Sequence, residues 1–230
     1  MTKILILRFS SIGDIVLTTP VVRCLKLQGD EFEIHYCTKK NYKSLLSENP
    51  YIEKIHVLGD SLNELVHSLK EENFDYVIDL HNSLRSLIIK RRLGVKAFSF
   101  DKINFKKYLL VNFKINKMPN IHIVDRYMDT VKKLGIINDN KGLDYFYPDK
   151  DEVEKGWLPE AHQNGYSAVA IGGQHATKKL TIEKLLELCA KINGPIVLLG
   201  GKEDEAAAIA IETFFDDTDM GKRKEFFLEN

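Results

Sequence analysis

The first fourteen residues constrain the fold of this chain more than any other stretch. Residues 4–7, Ile-Leu-Ile-Leu, form an apolar run of strand length, and the turn-forming residues 10–13, Ser-Ser-Ile-Gly, follow before a helical pattern begins. This order predicts a buried strand, a tight turn and a helix start. In open α/β sheets, ligands bind outside the carboxyl end of such a strand, near the free N–H groups of the next helix. Asp14 lies at that position.

Apolar runs of strand length recur along the N-terminal part of the chain, and helical patterns separate most of them. The predicted strands are residues 33–38, 54–58, 76–80 and 95–100. Pro20 interrupts the first helical pattern, so either that helix is kinked or its regular part starts at Pro20 with Thr18 or Thr19 as the cap. Strands that alternate with helices predict a parallel, doubly wound, Rossmann-like sheet.

A polar, loop-rich segment at residues 137–165 is the best candidate for a domain boundary. We therefore predict an N-terminal domain at residues 1–136, a linker at 137–165 and a partial second α/β domain at 166–212. The last residues, 213–230, are charged, lack a clear period and are predicted to form a frayed tail.

Charge is balanced over the whole chain, with 33 Lys and Arg against 33 Asp and Glu, but not along it. Residues 85–117 carry ten cationic side chains and one acid, Asp101, interleaved with aromatic and aliphatic residues. This composition indicates an anionic partner, such as a membrane surface, an acidic lipid headgroup or a nucleic acid. The alternative is a solvated face over an ordinary core. A nucleic-acid binder is disfavoured because no nucleic-acid-binding module is recognisable.

The three cysteines, Cys24, Cys37 and Cys189, are widely spaced and odd in number. This pattern suits neither a disulfide framework nor a zinc site, and it favours buried thiols in a reducing compartment. The chain starts directly with the strand, without a signal-peptide pattern, and no apolar run approaches the roughly 18 residues that span a bilayer. We expect a cytoplasmic, soluble protein.

Two glycine pairs follow the predicted strands of the second domain. Gly172 and Gly173 precede Lys178 and a helix start, an arrangement that could cradle a diphosphate. The second pair, residues 200–201, precedes acids that could accept hydrogen bonds from ribose hydroxyls. Each loop is alternatively a simple strand-to-helix turn.

Several of these segments together resemble glycosyltransferase family 9, the ADP-heptose:lipopolysaccharide heptosyltransferases. The most specific is the opening, with Ser10-Ser11-Ile12-Gly13-Asp14 and then Thr19-Pro20. The later matching segments are Asp75-Tyr-Val-Ile-Asp79-Leu followed by Arg85, His122-Ile-Val-Asp-Arg126-Tyr127, the 172–180 loop, and Leu198-Leu-Gly200-Gly201-Lys-Glu-Asp204.

The resemblance implies a two-domain GT-B fold, with the acceptor on the N-terminal domain, the nucleotide-sugar on the C-terminal domain and chemistry in the cleft. It implies transfer of a heptose or similar sugar from an ADP-sugar to the anionic lipopolysaccharide inner core with inversion, without a metal or a cofactor other than the ADP-sugar co-substrate. It assigns the catalytic base to Asp14. The implied donor-binding residues are Gly172, Gly173, Thr177, Lys178, Gly201, Glu203 and Asp204, and the implied acceptor-binding residues are Ser10, Ser11, Gly13, Arg85, His122 and Arg126. The acceptor lies at the inner face of the cytoplasmic membrane, which would explain the basic stretch as a peripheral membrane contact.

Asp14 and Lys178 also have simpler interpretations, a helix N-cap for the aspartate and a solvated surface residue for the lysine. In addition, members of the family continue for about a hundred more residues and carry an Asp-Thr-Gly-x-x-His loop, whereas here the only Asp-Thr is at 217–218. We therefore expect a truncated donor domain with weak or no activity. The alternatives are a non-catalytic remnant that binds acidic glycolipid or membrane, and a missing part supplied by another chain.

Overall fold

The computed structural model describes residues 1–29, 31–173, 175–216 and 225–229. The chain divides into two compact units, Met1–Asp151 and Glu152–Asn230. This division falls inside the segment 137–165 that was predicted as a linker.

The first unit contains a five-stranded parallel sheet. Its strands are β1 (Thr2–Leu7), β2 (Phe32–Lys39), β3 (Lys54–Leu58), β4 (Tyr76–Asp79) and β5 (Lys96–Ser99). Their order across the sheet is β3-β2-β1-β4-β5, and Leu5 on the central strand lies between His35 and Val77. The predicted parallel sheet is confirmed, and β1 lies at its centre.

Six helices accompany the described part of this sheet: α1 (Ile12–Val16), α2 (Thr19–Gln28), α3 (Leu62–Glu71), α4 (Leu84–Leu93), α5 (Asn104–Phe113) and α6 (Ile123–Met128). The helix is interrupted between α1 and α2. Pro20 therefore occupies the second position of α2, and Thr18 is the N-cap of that helix. The first helical turn tolerates proline because its N–H groups lack intrahelical partners. The apolar pattern of residues 121–134 predicts one helix that ends at Gly135. The observed helix is shorter, because α6 ends at Met128 and a 3-10 turn, Lys132–Leu134, leads to Gly135.

The core lies on both faces of the sheet. Side chains alternate along a strand, so Ile4 and Ile6 pack with α2 and α6 on one face, while Leu5 and Leu7 pack with α3 and α4 on the other. Cys24, Cys37 and Cys189 are buried and unbridged, as predicted.

Arg23 on α2 fixes the beginning of the predicted linker to the first unit. Its guanidinium is buried and binds Asp139 through two bonds, Nε–Oδ2 at 2.9 Å and Nη2–Oδ1 at 2.8 Å. Its third nitrogen lies 2.5 Å from Oδ2 of Asp144, and Nη2 also donates to the carbonyl of Gly142. Residues 139–144 are therefore irregular in backbone but anchored to the first unit.

The second unit has a three-stranded parallel sheet and two long helices. The elements are β6 (Ser167–Ala170), α7 (Ile182–Lys191), β7 (Ile196–Gly200), α8 (Glu205–Asp216) and β8 (Glu225–Glu229), with sheet order β6-β7-β8. The prediction of a frayed tail from residue 213 is wrong for residues 213–216 and 225–229, which are in a helix and a strand. Helix α8 continues to Asp216 because Ile211 and Phe215 are buried, and β8 pairs parallel with β7. Residues 217–224 and 230 of the predicted tail lie outside the described residues.

Candidate functional site

The carboxylate of Asp14 lies just beyond the carboxyl end of β1. Ser11 is the N-cap of α1 and Asp14 is the third residue of that helix, so the interpretation of Asp14 as an N-cap is wrong. The Oδ2 atom of Asp14 accepts hydrogen bonds from the hydroxyl of Ser11 at 3.1 Å and from its N–H at 3.4 Å. The same oxygen lies 2.5 Å from Nη2 of Arg8.

Arg8 holds this carboxylate in place. The guanidinium is buried, and it donates from Nε to the carbonyl of Ser10 at 2.7 Å and from Nη1 to the carbonyl of Leu80 at 2.7 Å. Nη1 also donates to the hydroxyl of Tyr127 at 3.0 Å. One side chain thus joins the ends of β1 and β4 to α6. The sequence analysis did not select Arg8; the signal was a lone cation directly after the central strand.

Asp14 has the protonation state and the open side that a base requires. Burial acts to raise its pKa, but the charge of Arg8 and the hydrogen bonds from Ser11 outweigh it, so the pKa lies below the ordinary value. The side chain is 40% exposed. Among the described residues, its polar partners all bind Oδ2, which leaves Oδ1 for a ligand. A Cβ added at Gly13 would meet nothing within 4 Å, so the space at this backbone position is open.

The carboxyl end of β4 lies beside this group. Asp79 is buried, accepts from the N–H groups of His81 and Asn82 at 3.1 and 2.7 Å, and pairs with Lys90 at 2.6 Å. Burial, followed by the positive charge of Arg8, lowers the pKa of His81 to about 4. This imidazole is therefore uncharged near neutral pH. It was not selected from the sequence, although it directly follows a predicted strand.

The predicted acceptor residues fall into two sets. Ser11 hydrogen-bonds Asp14, Ser10 accepts a hydrogen bond from Arg8, and Gly13 directly precedes Asp14 in α1. The other three line separate surface pockets of the first unit: Arg85 on α4, His122 at the N-cap of α6, and Arg126 in α6. The guanidinium of Arg126 stacks on the ring of Phe100 at 5.1 Å and donates to the carbonyl of Asp101. The next residue, Tyr127, is the one that contacts Arg8, because its hydroxyl accepts a hydrogen bond from Nη1 of Arg8.

In the second unit, Asp204 joins the two glycine loops. Its Oδ1 accepts from Nζ of Lys179 at 2.5 Å and its Oδ2 accepts from the N–H of Gly201 at 3.1 Å. The hydrogen bond from Lys179 is the main cause of its lowered pKa. A Cβ added at Gly172 would lie 2.3 Å from Oδ2 of Asp204, so this glycine permits the close approach. Both carboxylate oxygens of Asp204, a predicted donor-binding residue, thus have hydrogen-bond partners within the second unit.

The other predicted donor residues remain accessible. Thr177 and Lys178 are exposed and lie in a 3-10 turn, Ala176–Lys178, which ends four residues before α7 begins. Glu203 is also exposed, and its Oε2 would lie 2.7 Å from a Cβ added at Gly201, so the carboxylate covers that glycine. Gln174 of the first glycine loop lies outside the described residues.

The basic stretch exposes apolar surface mainly on α5 and beyond it. Tyr108, Val111 and Phe113 are 54%, 66% and 58% exposed, and Lys106 on the same helix is exposed. Phe100, by contrast, is buried against Tyr127. In the described part of the chain, the helices are all too short or too polar to cross a membrane.

The chain is similar in sequence to curated proteins that are named as heptosyltransferases. The chain is 30% identical over 135 residues to lipopolysaccharide heptosyltransferase 1 of Campylobacter coli, and this alignment covers 55% of this chain and 40% of that protein. It is 24% identical over 223 residues to lipopolysaccharide core heptosyltransferase OpsX of Haemophilus influenzae, covering 80% of this chain and 64% of that protein. The alignments thus span 40% and 64% of these relatives' lengths.

Solved structures agree on the fold. A family 9 glycosyltransferase of Veillonella parvula superposes with a TM-score of 0.72 at 17% identity, covering 98% of this chain and 68% of that one. E. coli heptosyltransferase WaaC, solved with ADP, gives 0.68 at 18% identity, covering 100% of this chain and 75% of that one. The fold is therefore of the GT-B type. The family model described as glycosyltransferase family 9 (heptosyltransferase) matches residues 62–218, more than half of the sequence, and the chain belongs to this family.

Proposed function

We propose that this chain is a heptosyltransferase that moves a heptose from an ADP-sugar to the lipopolysaccharide inner core, with Asp14 as the general base. The observation that carries this proposal is the asymmetry of the Asp14 carboxylate, one oxygen fixed by Arg8 and Ser11 and the other open to a ligand. Membership of the family and the names of the relatives support the choice of donor and acceptor.

The proposed reaction is a single displacement. Oδ1 of Asp14 takes the proton of an acceptor hydroxyl, and that oxygen bonds to the anomeric carbon of the sugar. The bond from this carbon to the ADP oxygen breaks, and ADP leaves with the electron pair, so the anomeric configuration inverts. A positioned base contributes about 10²- to 10⁴-fold to the rate, and orientation of the two substrates contributes further.

The second unit supplies the donor contacts in this proposal. Lys178 is exposed and would neutralise the diphosphate, with backbone N–H groups of the Gly172-Gly173 loop beside it. Glu203 is exposed and would accept hydrogen bonds from the ribose hydroxyls. Asp204 is better assigned to positioning, because both of its oxygens already bind Lys179 and Gly201.

The acceptor is anionic, and the basic stretch is the proposed contact with it or with the membrane that carries it. Exposed Tyr108, Val111 and Phe113 would enter the interfacial region, while nearby lysines would meet acidic headgroups. This peripheral contact would place the protein at the inner face of the cytoplasmic membrane.

The test is a transfer assay with ADP-heptose and a heptose-free inner-core acceptor, in which ADP release and product stereochemistry are measured. Asp14→Asn should lower the rate by about 10²- to 10⁴-fold with an unchanged circular dichroism spectrum. Asp125→Asn is the matched control, because Asp125 is an exposed acid at the third position of another short helix. Equal transfer rates for Asp14→Asn and the unchanged chain would refute the assignment of Asp14 as the general base.

A separate ligand titration distinguishes an enzyme from a protein that only binds. ADP at about 100 times its Kd should stabilise the second unit by about 2.7 kcal/mol. Stabilisation without any transfer would favour a non-catalytic binding role, while absence of both would refute the proposed donor site.

A further inference from the structure

Two buried histidines and a half-buried glutamate form a cluster in the first unit, beside the middle of β2 and β3. His35 on β2 and His56 on β3 point to the face covered by α3, and Glu72 directly follows that helix. Asp14 lies elsewhere, beyond the carboxyl end of β1 in the same sheet. The proposed transferase chemistry does not use any of these three residues.

The spacing of the three side chains matches the coordination of a small metal ion. Nδ1 of His35 lies 3.0 Å from Nε2 of His56. The two oxygens of Glu72 lie 3.8 Å from Nδ1 of His35 and 3.9 Å from Nε2 of His56. Ligands at the usual zinc distances of about 2.0–2.2 Å lie roughly 3.3 Å apart in a tetrahedron, so small side-chain movements would close the site.

A second carboxylate supports His35 from behind. Oε1 of Glu33 lies 2.8 Å from Nε2 of His35, the ring nitrogen that faces away from His56. This bond places the proton on Nε2 and leaves the lone pair of Nδ1 directed at the cluster. Zinc-binding histidines usually have such a carboxylate or carbonyl partner, which fixes their orientation.

The surroundings hold the imidazoles and exclude most water. The side chains of His35 and His56 are 2% and 6% exposed, and both rings contact the ring of Phe74.

Two lysines contact the carboxylates of the site in its present state. Nζ of Lys3 lies 3.7 Å from Oε2 of Glu72 and 3.3 Å from Oε1 of Glu33, and Lys54 is the second. Nζ of Lys54 pairs with Oε1 of Glu72, and its side chain is 56% exposed. Because the Lys54 ammonium can turn into solvent, it competes with a metal for Glu72 without blocking the site permanently.

We propose that His35, His56 and Glu72 bind one zinc ion, with Glu33 as the outer carboxylate and water in the fourth position. Binding replaces the single His35–His56 hydrogen bond. The proton on Nε2 of His56 leaves to solvent and Nδ1 of the same ring takes one up, so His56 binds as a neutral imidazole and no net proton is released. The ion would join β2, β3 and the end of α3. Imidazole and carboxylate ligands suit zinc better than the hard cations Ca²⁺ and Mg²⁺.

The test is equilibrium dialysis of the untagged chain against buffered Zn²⁺ at pH 7.5, with Co²⁺ absorption as a probe of tetrahedral geometry. We expect one equivalent of zinc per chain and a higher melting temperature with zinc. Glu72→Gln should weaken binding more than tenfold, and Glu33→Gln by about 10- to 100-fold. The matched control is His67→Gln, because His67 is an exposed histidine of α3.

Lys54→Met keeps the test independent of folding defects, because it removes a competitor rather than a ligand. It should tighten zinc binding severalfold, while Lys70→Met, a change at an exposed lysine of α3, should leave it unchanged. Less than 0.2 equivalents bound at saturation, or equal affinity in Glu72→Gln and the unchanged chain, would overturn the proposal.

Discussion

The anchoring of residues 139–144 by Arg23 provides a stringent test of the packing in the first unit. We expect Asp139→Asn to cost about 2–3 kcal/mol in the free energy of unfolding, because a charge-assisted hydrogen bond contributes roughly 1.5–3 kcal/mol and the Asn amide keeps only one of the two oxygens that accept from Arg23. Asp144→Asn should cost about 1–2 kcal/mol, because the amide oxygen can still accept the single bond from Arg23 but without the charge that strengthens it. For a unit of this size, 2–3 kcal/mol corresponds to a fall of roughly 4–12 °C in melting temperature.

Trypsin cleavage after Lys141 measures the same interaction locally. If opening of the segment precedes cleavage, a loss of 2–3 kcal/mol accelerates cutting by about 30- to 150-fold. Asp149→Asn is the control, because Asp149 is an exposed acid close to the same segment. A loss below about 0.5 kcal/mol for Asp139→Asn, with an unchanged cleavage rate, would refute the reasoning that Arg23 holds the segment.

Three further predictions use other parts of the chain. Lys178→Met should weaken ADP binding by calorimetry with an unchanged melting temperature, whereas Lys179→Met should lower the melting temperature because it removes the partner of buried Asp204; equal melting temperatures would contradict this assignment. The pKa of Asp139 lies below its unfolded value of about 3.9, so its contribution to stability is complete above that pH and is lost as the pH falls through the folded pKa. The free energies of unfolding of the unchanged chain and of Asp139→Asn should therefore become equal below the folded pKa. Phe113→Ser should weaken cosedimentation with anionic vesicles, and equal binding by the variant would exclude Phe113 from the contact.

Much of the fold was predictable because the strands of the first unit are short, apolar and bounded by turn residues. The strand at Lys54–Leu58 has the predicted bounds, and Ser61 caps the following helix through the N–H of Glu64. The sequence was less informative where tertiary contacts outweigh composition. Segment 139–144 has the polar composition of a linker, yet buried Arg23 on a distant helix binds it.

The candidate site was predictable in part for a similar reason. Asp14 follows the central strand, and position along the chain is enough to place it at the sheet edge. The roles of Arg8 and Tyr127 depend on residues 119 positions apart that meet only in the folded chain. Likewise, Lys178 and Lys179 are adjacent in sequence, and only the structure distinguishes the exposed lysine from the one that binds Asp204.

The close approach of Gly172 to Asp204 has a consequence for how this unit can change during evolution. Any side chain at position 172 would collide with the carboxylate that binds the N–H of Gly201. A shorter residue at position 204 would relieve the collision but would leave Lys179 and that N–H without their acceptor. Substitutions at positions 172, 179 and 204 are therefore expected to covary among relatives, and single changes at any of them to be rare.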